Sequence, residues 1–227
     1  MKNMKTNNIN LTTELAEICG IIAGDGHLSR YISPQRTHYK VSVFGHKKDD
    51  QEYFLEIKDL FENELGKRPI LKNRISCIEL RLNSKEILHK LERIGISVGN
   101  KSGSVHIPKI IQKQHPLSLS FLRGLADTDF SIILKKRKTK PAYPRITADM
   151  KSKGLIYDVC NVLKKVGITY YGPYQRKRLR NGSHYTTYQI DINGNQNLDL
   201  WIKHIGFRNP KHKNKIENRS SENAHLT

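Results

Sequence analysis

Cysteine, acidic residues and long apolar runs are all scarce in this sequence. Cys19, Cys77 and Cys160 stand far apart, without the Cys-x-x-Cys or Cys/His spacing of a zinc site. They predict buried thiols in a reducing compartment and not a disulfide framework. No apolar run approaches the length of a membrane span, and the Asn-rich start has no signal-peptide core. We therefore expect a soluble intracellular protein with no membrane partner.

Negative charge is also in short supply. The 227 residues include 21 acids against 40 lysines and arginines, a net charge of +19 at pH 7. A charge of this sign and size attracts phosphate and predicts salt-dependent nucleic-acid binding. The basic residues are not confined to one amphipathic helix, as binding to a membrane surface would require. A basic surface that only keeps the protein soluble is the plain alternative.

Two stretches, residues 18–26 (ICGIIAGDG) and 122–130 (LRGLADTDF), share one pattern: an apolar helix with small residues four apart, ending in an aspartate. Because residues four apart lie on one helical face, such helices can pack with their backbones unusually close. If the two helices pack against each other, Asp25 and Asp129 lie side by side. Two adjacent carboxylates are a natural site for a divalent metal.

Both stretches resemble the LAGLIDADG signature of homing endonucleases, and the resemblance covers most of residues 12–207. The second copy keeps the signature's earlier acid at Asp127, where the first has Ala23. In that family the final acid of each motif binds metal and is catalytic, which implies these roles for Asp25 and Asp129. Two motifs in one chain imply the single-chain, pseudo-dimeric type, a functional monomer with no obligatory protein partner.

Hydrophobic periodicity predicts an α+β fold in which each half is an α-β-β-α-β-β-α unit. We expect the first half at residues 1–99, a linker at 100–116, the second half at 117–208, and a mobile polar tail at 209–227. The duplication predicts a pseudo-twofold saddle with two antiparallel, four-stranded DNA-binding sheets.

A β-ribbon fits the major groove of double-stranded DNA, where side chains on its solvent face read the bases. The predicted DNA-binding residues are Arg30, Arg36, His38, Lys40, Ser42, His46, Arg74, Arg81 and Asn83 in the first half, and Lys135, Arg137, Arg145, Gln175, Lys177 and Gln189 in the second. Any one of them also fits a solvated charge or a phosphate contact. The basic runs 135–140 and 176–180 are better suited to positioning phosphates.

Hydrolysis of a phosphodiester needs an activated water and a stabilised leaving oxygen, which metal ions held between carboxylates supply. The resemblance implies two or three Mg²⁺ ions, with Mn²⁺ as a substitute, at Asp25 and Asp129, and we assign Gly24 and Thr128 to the same metal site. It also implies a residue after the motif that polarises the water. By position these are Lys47 and Lys151, which equally fit surface charges at helix starts.

The leading hypothesis is a site-specific homing endonuclease, encoded in an intron, that makes a metal-dependent staggered double-strand cut in a long DNA target. The host would be an archaeal or bacterial cytoplasm, or an organelle that encodes the protein. The alternative is a maturase that binds intron RNA, or a DNA-binding regulator, with the same fold and reduced or lost cleavage. Phe130, where the family usually has Gly, favours the alternative, whereas Asp25 and Asp129 together oppose it. A basic duplicated protein without nuclease activity is the third hypothesis.

Overall fold

The computed structural model describes residues 10–99, 103–135, 142–180 and 182–224. The first half runs α1 (Thr13–Asp25), β1 (Gly26–Ile32), β2 (Thr37–His46), α2 (Gln51–Leu65), β3 (Ile70–Asn73), β4 (Cys77–Asn83) and α3 (Lys85–Ile94). A short helix, α4 (Lys109–Gln112), lies between the halves. The second half runs α5 (His115–Asp129), β5 (Phe130–Lys135), β6 (Tyr143–Met150), α6 (Lys153–Lys165), β7 (Tyr171–Arg180), β8 (Ser183–Asn193) and α7 (Asn195–His204), and is followed by α8 (Pro210–Ala224). The predicted α+β class and its duplicated unit are confirmed.

Hydroxyl side chains begin several of these helices. Thr12 accepts a hydrogen bond from the Leu15 amide before α1, and Ser84 and Ser152 do the same before α3 and α6. Each hydroxyl satisfies an N–H group that has no partner within its helix. Gly95 ends α3 in the left-handed conformation, with φ of 115°. Local sequence therefore sets these boundaries.

The two sheets have the same topology. Strand order is β1-β2-β4-β3 in the first and β5-β6-β8-β7 in the second, with all neighbours antiparallel. Val43 pairs with Leu80, and Ala148 pairs with Ile190 at the matching position; all four side chains are buried against the helices. The opposite face of each sheet carries the polar side chains. The alternation of apolar and polar residues along the strands therefore produces one buried face and one open face in each half.

Helices α1 and α5 pack with their backbones in contact. A Cβ atom added to Gly20 would lie 2.0 Å from the carbonyl oxygen of Phe121, and one added to Gly124 would lie 2.2 Å from that of Glu17. Only glycine fits at either position, because the neighbouring atom is backbone and cannot rotate away. The close packing expected from the motif is confirmed.

The segment from residue 209 differs from the mobile tail that its polar composition predicts. It forms α8, and the start of the segment is anchored: Asn209 and His212 are buried, and the Nζ of Lys211 lies 2.8 Å from the Oδ1 of Asp50. The anchoring groups, Asp50 and Asp127, are distant in the sequence, so local composition did not reveal them. No helix among the described residues is long and apolar enough to cross a membrane.

Replacing Gly124 with Ala should destabilise the protein by more than the loss of a flexible residue. The methyl group would overlap the Glu17 carbonyl, and separating two packed helices typically costs about 1–3 kcal/mol. Gly66→Ala is the matched control, because a Cβ there meets no atom within 4 Å and only its φ of 66° costs energy, about 1–2 kcal/mol. Urea unfolding measures both. Unchanged or increased stability for Gly124→Ala, as helix propensity alone predicts, would contradict the close contact.

Candidate active site and nucleic-acid interface

Asp25 and Asp129 are the last residues of α1 and α5, and both side chains are exposed. A Cβ atom on Gly24 would lie 2.0 Å from the Oγ1 of Thr128 and 2.3 Å from the Oδ2 of Asp129. The Asp129 carboxylate therefore lies against the residue that precedes Asp25. The tertiary structure brings the two motif ends together, as the repeated pattern predicts.

The chemistry of this position suits a cation. The C-terminal end of a helix carries partial negative charge, and here two helix ends and two carboxylates coincide. Carboxylate and carbonyl oxygens are the ligands that Mg²⁺ prefers. Among the residues that the structure describes, no group of three or more His, Cys, Asp or Glu forms a metal site. The residues that the sequence predicts as metal ligands, Asp25, Asp129, Gly24 and Thr128, all lie at these two helix ends.

A cleft of about 540 Å³ opens beside Asp129. Its lining includes Gly24 and Asp129 from the helix ends, together with Lys151 and Asp149. The structure thus places the candidate lysine of the second half in the same cleft as the candidate metal ligand. The Nζ of Lys151 lies 4.7 Å from the centre of the Tyr185 ring, a cation–π contact. The sequence did not single out Asp149, whose carboxylate pairs with Arg178.

Lys47 and Lys151 lie in the turns after the second strands of the two sheets, but strand pairing makes Lys151 equivalent to His46 and not to Lys47. Each is the first residue after the second strand of its sheet. The turn after β2 has four residues before α2 begins, whereas the turn after β6 has two before α6 begins. Lys47 is half-buried. His46, beside it, is exposed and its Nδ1 lies 2.9 Å from Asp49.

Several predicted DNA-binding residues line one shallow cavity of about 510 Å³ on the open face of the first sheet. They are Arg36, His38, Lys40, Arg81 and Asn83. In the second sheet Lys135, Arg145 and Gln189 also lie on the open face, because their strand partners place them opposite the buried side chains. Arg145 donates to Asn193 and Gln189 donates to Asp191. Arg137 lies outside the described residues.

Glu79 is buried in the open face of the first sheet, where the alternation predicts an exposed side chain. It accepts bidentate hydrogen bonds from the guanidinium groups of Arg74 and Arg81, with distances of 2.7–3.0 Å. Burial disfavours its charged form, but the hydrogen bonds from Arg74, Arg81 and Ser42 outweigh that and lower the pKa of Glu79. Two cations on the open face of the first sheet are thereby held in place.

Two residues of the first half, Ser42 and Arg30, do not lie accessible on the open face as predicted. Ser42 is fully buried beneath this cluster and donates to Glu79, so it is not accessible to a base. Arg30 lies on the helix side of β1, on the same face as buried Leu28, and pairs with Glu92 of α3 at 2.9 Å. Because side chains alternate along a strand, these placements follow from the register.

Gln175 and Lys177 of β7 also do not lie on the open face as predicted. Gln175 pairs with Tyr188 and Lys177 pairs with Thr186, which puts both on the helix side of the sheet. Arg176 and Arg178 instead share the open face with Gln189. The pairing register shifts between Tyr171 and Tyr174, and a shift of one residue moves every later side chain to the other face. The alternation in the sequence does not reveal such a shift.

Phe130 leaves the chain geometry after Asp129 unchanged. Its φ and ψ of −97° and 156° are close to the −91° and 166° of Gly26, the equivalent residue after Asp25. Both are extended conformations that any residue adopts. The Phe130 ring is buried and lies 5.6 Å from the Trp201 ring. The aromatic side chain therefore belongs to the core of the second half and does not tilt the site.

A buried charge network lies beneath the paired helices. Glu17 is fully buried and binds Arg123 from α5 and Arg208 from the segment before α8, at 2.5 Å and 2.6 Å. Burial opposes its ionisation, but the hydrogen bonds from Arg208 and Arg123 lower the pKa of Glu17. Arg123 and Asp127 are four residues apart, a spacing that predicts an ion pair along the helix. That prediction is wrong, because Arg123 pairs with Glu17 instead.

Asp127 has a different role. Its carboxylate accepts hydrogen bonds from the backbone amides of Arg208 and Asn209 at 3.0–3.1 Å. Burial raises the pKa of Asp127 to about 7, although these two amides oppose the rise. It fastens the segment before α8 to the end of α5.

Comparison with known proteins agrees with this geometry. Residues 116–206 match the LAGLIDADG-like domain family. A solved structure of the homing endonuclease I-DmoI in complex with DNA and Ca superimposes with a TM-score of 0.60 at 16% identity, over 91% of this chain and 97% of that one. The family match thus covers the second half, and the fold of the chain is similar to that of the homing endonuclease I-DmoI. The resemblance to the LAGLIDADG homing endonucleases is confirmed.

Two curated relatives from Methanocaldococcus jannaschii are much longer than this chain. A replication factor C small subunit is 28% identical over 222 residues, which is 97% of this chain and 11% of that protein. A glutamine–fructose-6-phosphate aminotransferase is 24% identical over 208 residues, which is 91% of this chain and 17% of that protein. The chain therefore spans about a tenth to a sixth of these relatives.

Asp127→Asn should alter the pH dependence of stability. The pKa of Asp127 is about 7 in the folded protein against an ordinary value of 3.8, so the folded state holds the proton more tightly. The stabilisation is present below pH 4 and is lost as the pH rises through 7. Relative to the variant, the native protein should lose up to about 4 kcal/mol between pH 4 and pH 8.

Urea unfolding across this pH range measures the difference. Asp59→Asn is the matched control, since Asp59 is exposed on α2. Its profile should run parallel to that of the native protein. Parallel profiles for Asp127→Asn as well would show that Asp127 titrates normally.

Proposed function

We propose that this chain is a site-specific homing endonuclease, encoded in an intron, that makes a metal-dependent staggered double-strand cut in a long DNA target. The observation that supports the proposal is the contact between Asp129 and Gly24, at the point where α1 and α5 each end in an aspartate. The cleft beside Asp129 also holds Lys151. Oxygen ligands and a nearby cation are the groups that phosphodiester hydrolysis requires.

Asp25 and Asp129 would hold two or three divalent ions, Mg²⁺ or Mn²⁺, with the carbonyl oxygens of Gly24 and Thr128. Such ions supply charge stabilisation for the attacking and leaving oxygens. Lys47 and Lys151 would each orient and polarise the water for one DNA strand. Since each lysine belongs to one half, each half would serve one strand, and two offset sites produce a staggered cut.

Double-stranded DNA would lie along the open faces of the two sheets. The predicted residues on these faces that the structure supports are Arg36, His38, Lys40, His46, Arg74, Arg81 and Asn83, with Lys135, Arg145 and Gln189 in the second half. Arg176 and Arg178 join them through the observed register. Both halves lie in one chain, so the protein would act as a monomer.

The two long relatives support a mobile coding sequence. Nearly the whole chain matches a small part of two proteins whose names indicate unrelated activities. A coding element that moves between genes is expected to occur within unrelated proteins. An intron can carry such an element, or it can be translated in frame with its host protein. A role as a maturase for intron RNA, or as a regulator, would keep the fold without requiring cleavage.

Asp25→Asn and Asp129→Asn should each abolish double-strand cleavage while leaving DNA binding intact. Each substitution removes a metal ligand but preserves the size of the side chain. The assay is Mg²⁺-dependent cleavage of a randomised DNA library, followed by sequencing of the ends. Asp59→Asn is the matched control, because it changes the charge by the same amount at an exposed residue of α2. This variant should cut DNA as the native protein does. If the native protein bound DNA specifically but did not cleave it, the proposed nuclease function would be rejected in favour of a maturase or a regulator.

Lys40→Met should reduce the salt dependence of DNA binding. Each phosphate contact contributes about 0.9 to the slope of log K against log salt concentration, so losing one should lower the slope by roughly that amount. Lys203→Met is the matched control, because Lys203 is exposed on α7, on the helix side of the second sheet. Fluorescence anisotropy at several salt concentrations gives both slopes. An unchanged slope for Lys40→Met would remove the first sheet from the DNA interface.

A further inference from the structure

The chain leaving each half crosses to the other half. After α3, residues 103–107 reach the start of α6, where the ring of His106 occupies the space that a Cβ on Gly154 would need. After α7, the segment before α8 reaches the start of α2, where Asn209 and Lys211 contact Asp50. Asp50 and Ser152 are the cap residues of α2 and α6. Both crossing segments therefore end beside a turn that carries a candidate lysine.

Asp50 organises the turn that contains Lys47. Its Oδ2 accepts a hydrogen bond from the His46 amide at 2.7 Å, and its own amide donates to the His46 carbonyl at 3.1 Å, which closes the turn. Its Oδ1 accepts from the Nζ of Lys211 at 2.8 Å and from the Nδ2 of Asn209 at 3.2 Å. Asp50 is 6% exposed. Burial disfavours its charge, but the bonds from Lys211, the His46 amide and Asn209 lower the pKa of Asp50.

Asn209 is tied down independently. Its amide donates to the Oδ1 of Asp127 at 3.0 Å, and its Nδ2 also lies 3.2 Å from the Asp127 carbonyl. Asp127 is two residues before Asp129. A continuous set of buried hydrogen bonds thus joins the Lys47 turn of the first half to the motif helix that carries the second half's carboxylate.

Ser152 makes the corresponding link in the second half. Its hydroxyl donates to the Val105 carbonyl at 2.6 Å and accepts from the Leu155 amide that begins α6. Asp158, one helical turn further on, accepts from the Ile107 amide at 3.0 Å. The turn that carries Lys151 is therefore held by the segment that follows α3.

We infer that these crossing segments position the lysines: Asp50, held by Asn209 and Lys211, positions Lys47, and Ser152, held by Val105, positions Lys151. This inference rests on the proposed nuclease function. A catalytic side chain must stay within about 0.5 Å of its working position, and a misplacement of 1 Å can slow a reaction a hundredfold. A four-residue turn does not meet that requirement unless something outside it restrains its conformation. Asp50, Asn209, Lys211 and Ser152 are positioning residues.

The test compares the rates at which the two strands of one DNA target are nicked. Single-turnover reactions with saturating enzyme use a duplex carrying a different label on each strand. Lys47→Met and Lys151→Met identify the strand that depends on each lysine. Because both sites belong to one folded molecule, a loss of folding lowers both rates equally and leaves their ratio unchanged.

Lys211→Met and Asp50→Asn should slow the Lys47-dependent strand by roughly tenfold or more and the other strand by less than about twofold. Ser152→Ala should produce the opposite bias. Lys211→Arg, which can still pair with Asp50, should restore the native ratio. Lys213→Met is the matched control, since Lys213 is exposed on the same helix and the charge change is identical.

An unchanged ratio for Lys211→Met and Asp50→Asn, or a bias toward the wrong strand, would overturn the positioning role. That result is distinct from failure of the proposed function, in which the native protein cuts neither strand and the lysines have no reaction to serve.

Discussion

The structure depends on the contact between the backbones of α1 and α5. Gly20 and Gly124 each leave room for a carbonyl oxygen of the opposite helix, and any Cβ at either place would overlap it. The contact sets the spacing of the two helix ends and so the separation of Asp25 and Asp129. The first strand of each sheet follows directly from one of these helices, so the contact also links the two sheets. Glycine here serves close approach, because neither residue has a positive φ.

Glu17 combines this packing constraint with the electrostatics of the protein. Its carbonyl meets Gly124, while its carboxylate binds Arg123 and Arg208. Asp50 and Glu79 are likewise buried acids held in the charged form by basic partners. In a chain with an excess of 19 positive charges, the few buried acids therefore determine where particular cations and turns are held. A buried carboxylate is costly unless it is paired, so each one orders the groups around it.

The two halves share a topology but not the same contacts. Strand register makes Glu79 equivalent to Gln189 and Arg81 equivalent to Asp191. The first sheet thus presents an arginine pair around a glutamate, whereas the second presents a glutamine–aspartate pair. A small cavity of about 20 Å³ lies beside Ala23, where the second half has the carboxylate of Asp127. The two sheets therefore present two chemically different open faces.

Sequence alone determined the duplicated α+β unit, the close helix pair and the two terminal aspartates, because these depend on local periodicity and on small residues at helical spacing. It also indicated most residues of the open sheet faces, since alternation along a strand is local. Only the tertiary structure decided the face of Gln175 and Lys177, which follows a register shift. It also decided the burial of Ser42 and Glu79, which depends on Arg74 from the turn before β4 and Arg81 from β4 itself. The anchoring of residue 209 onward was decided in the same way. Its partners Asp50 and Asp127 are 159 and 82 residues away, and a contact over such separations leaves no local pattern in the sequence.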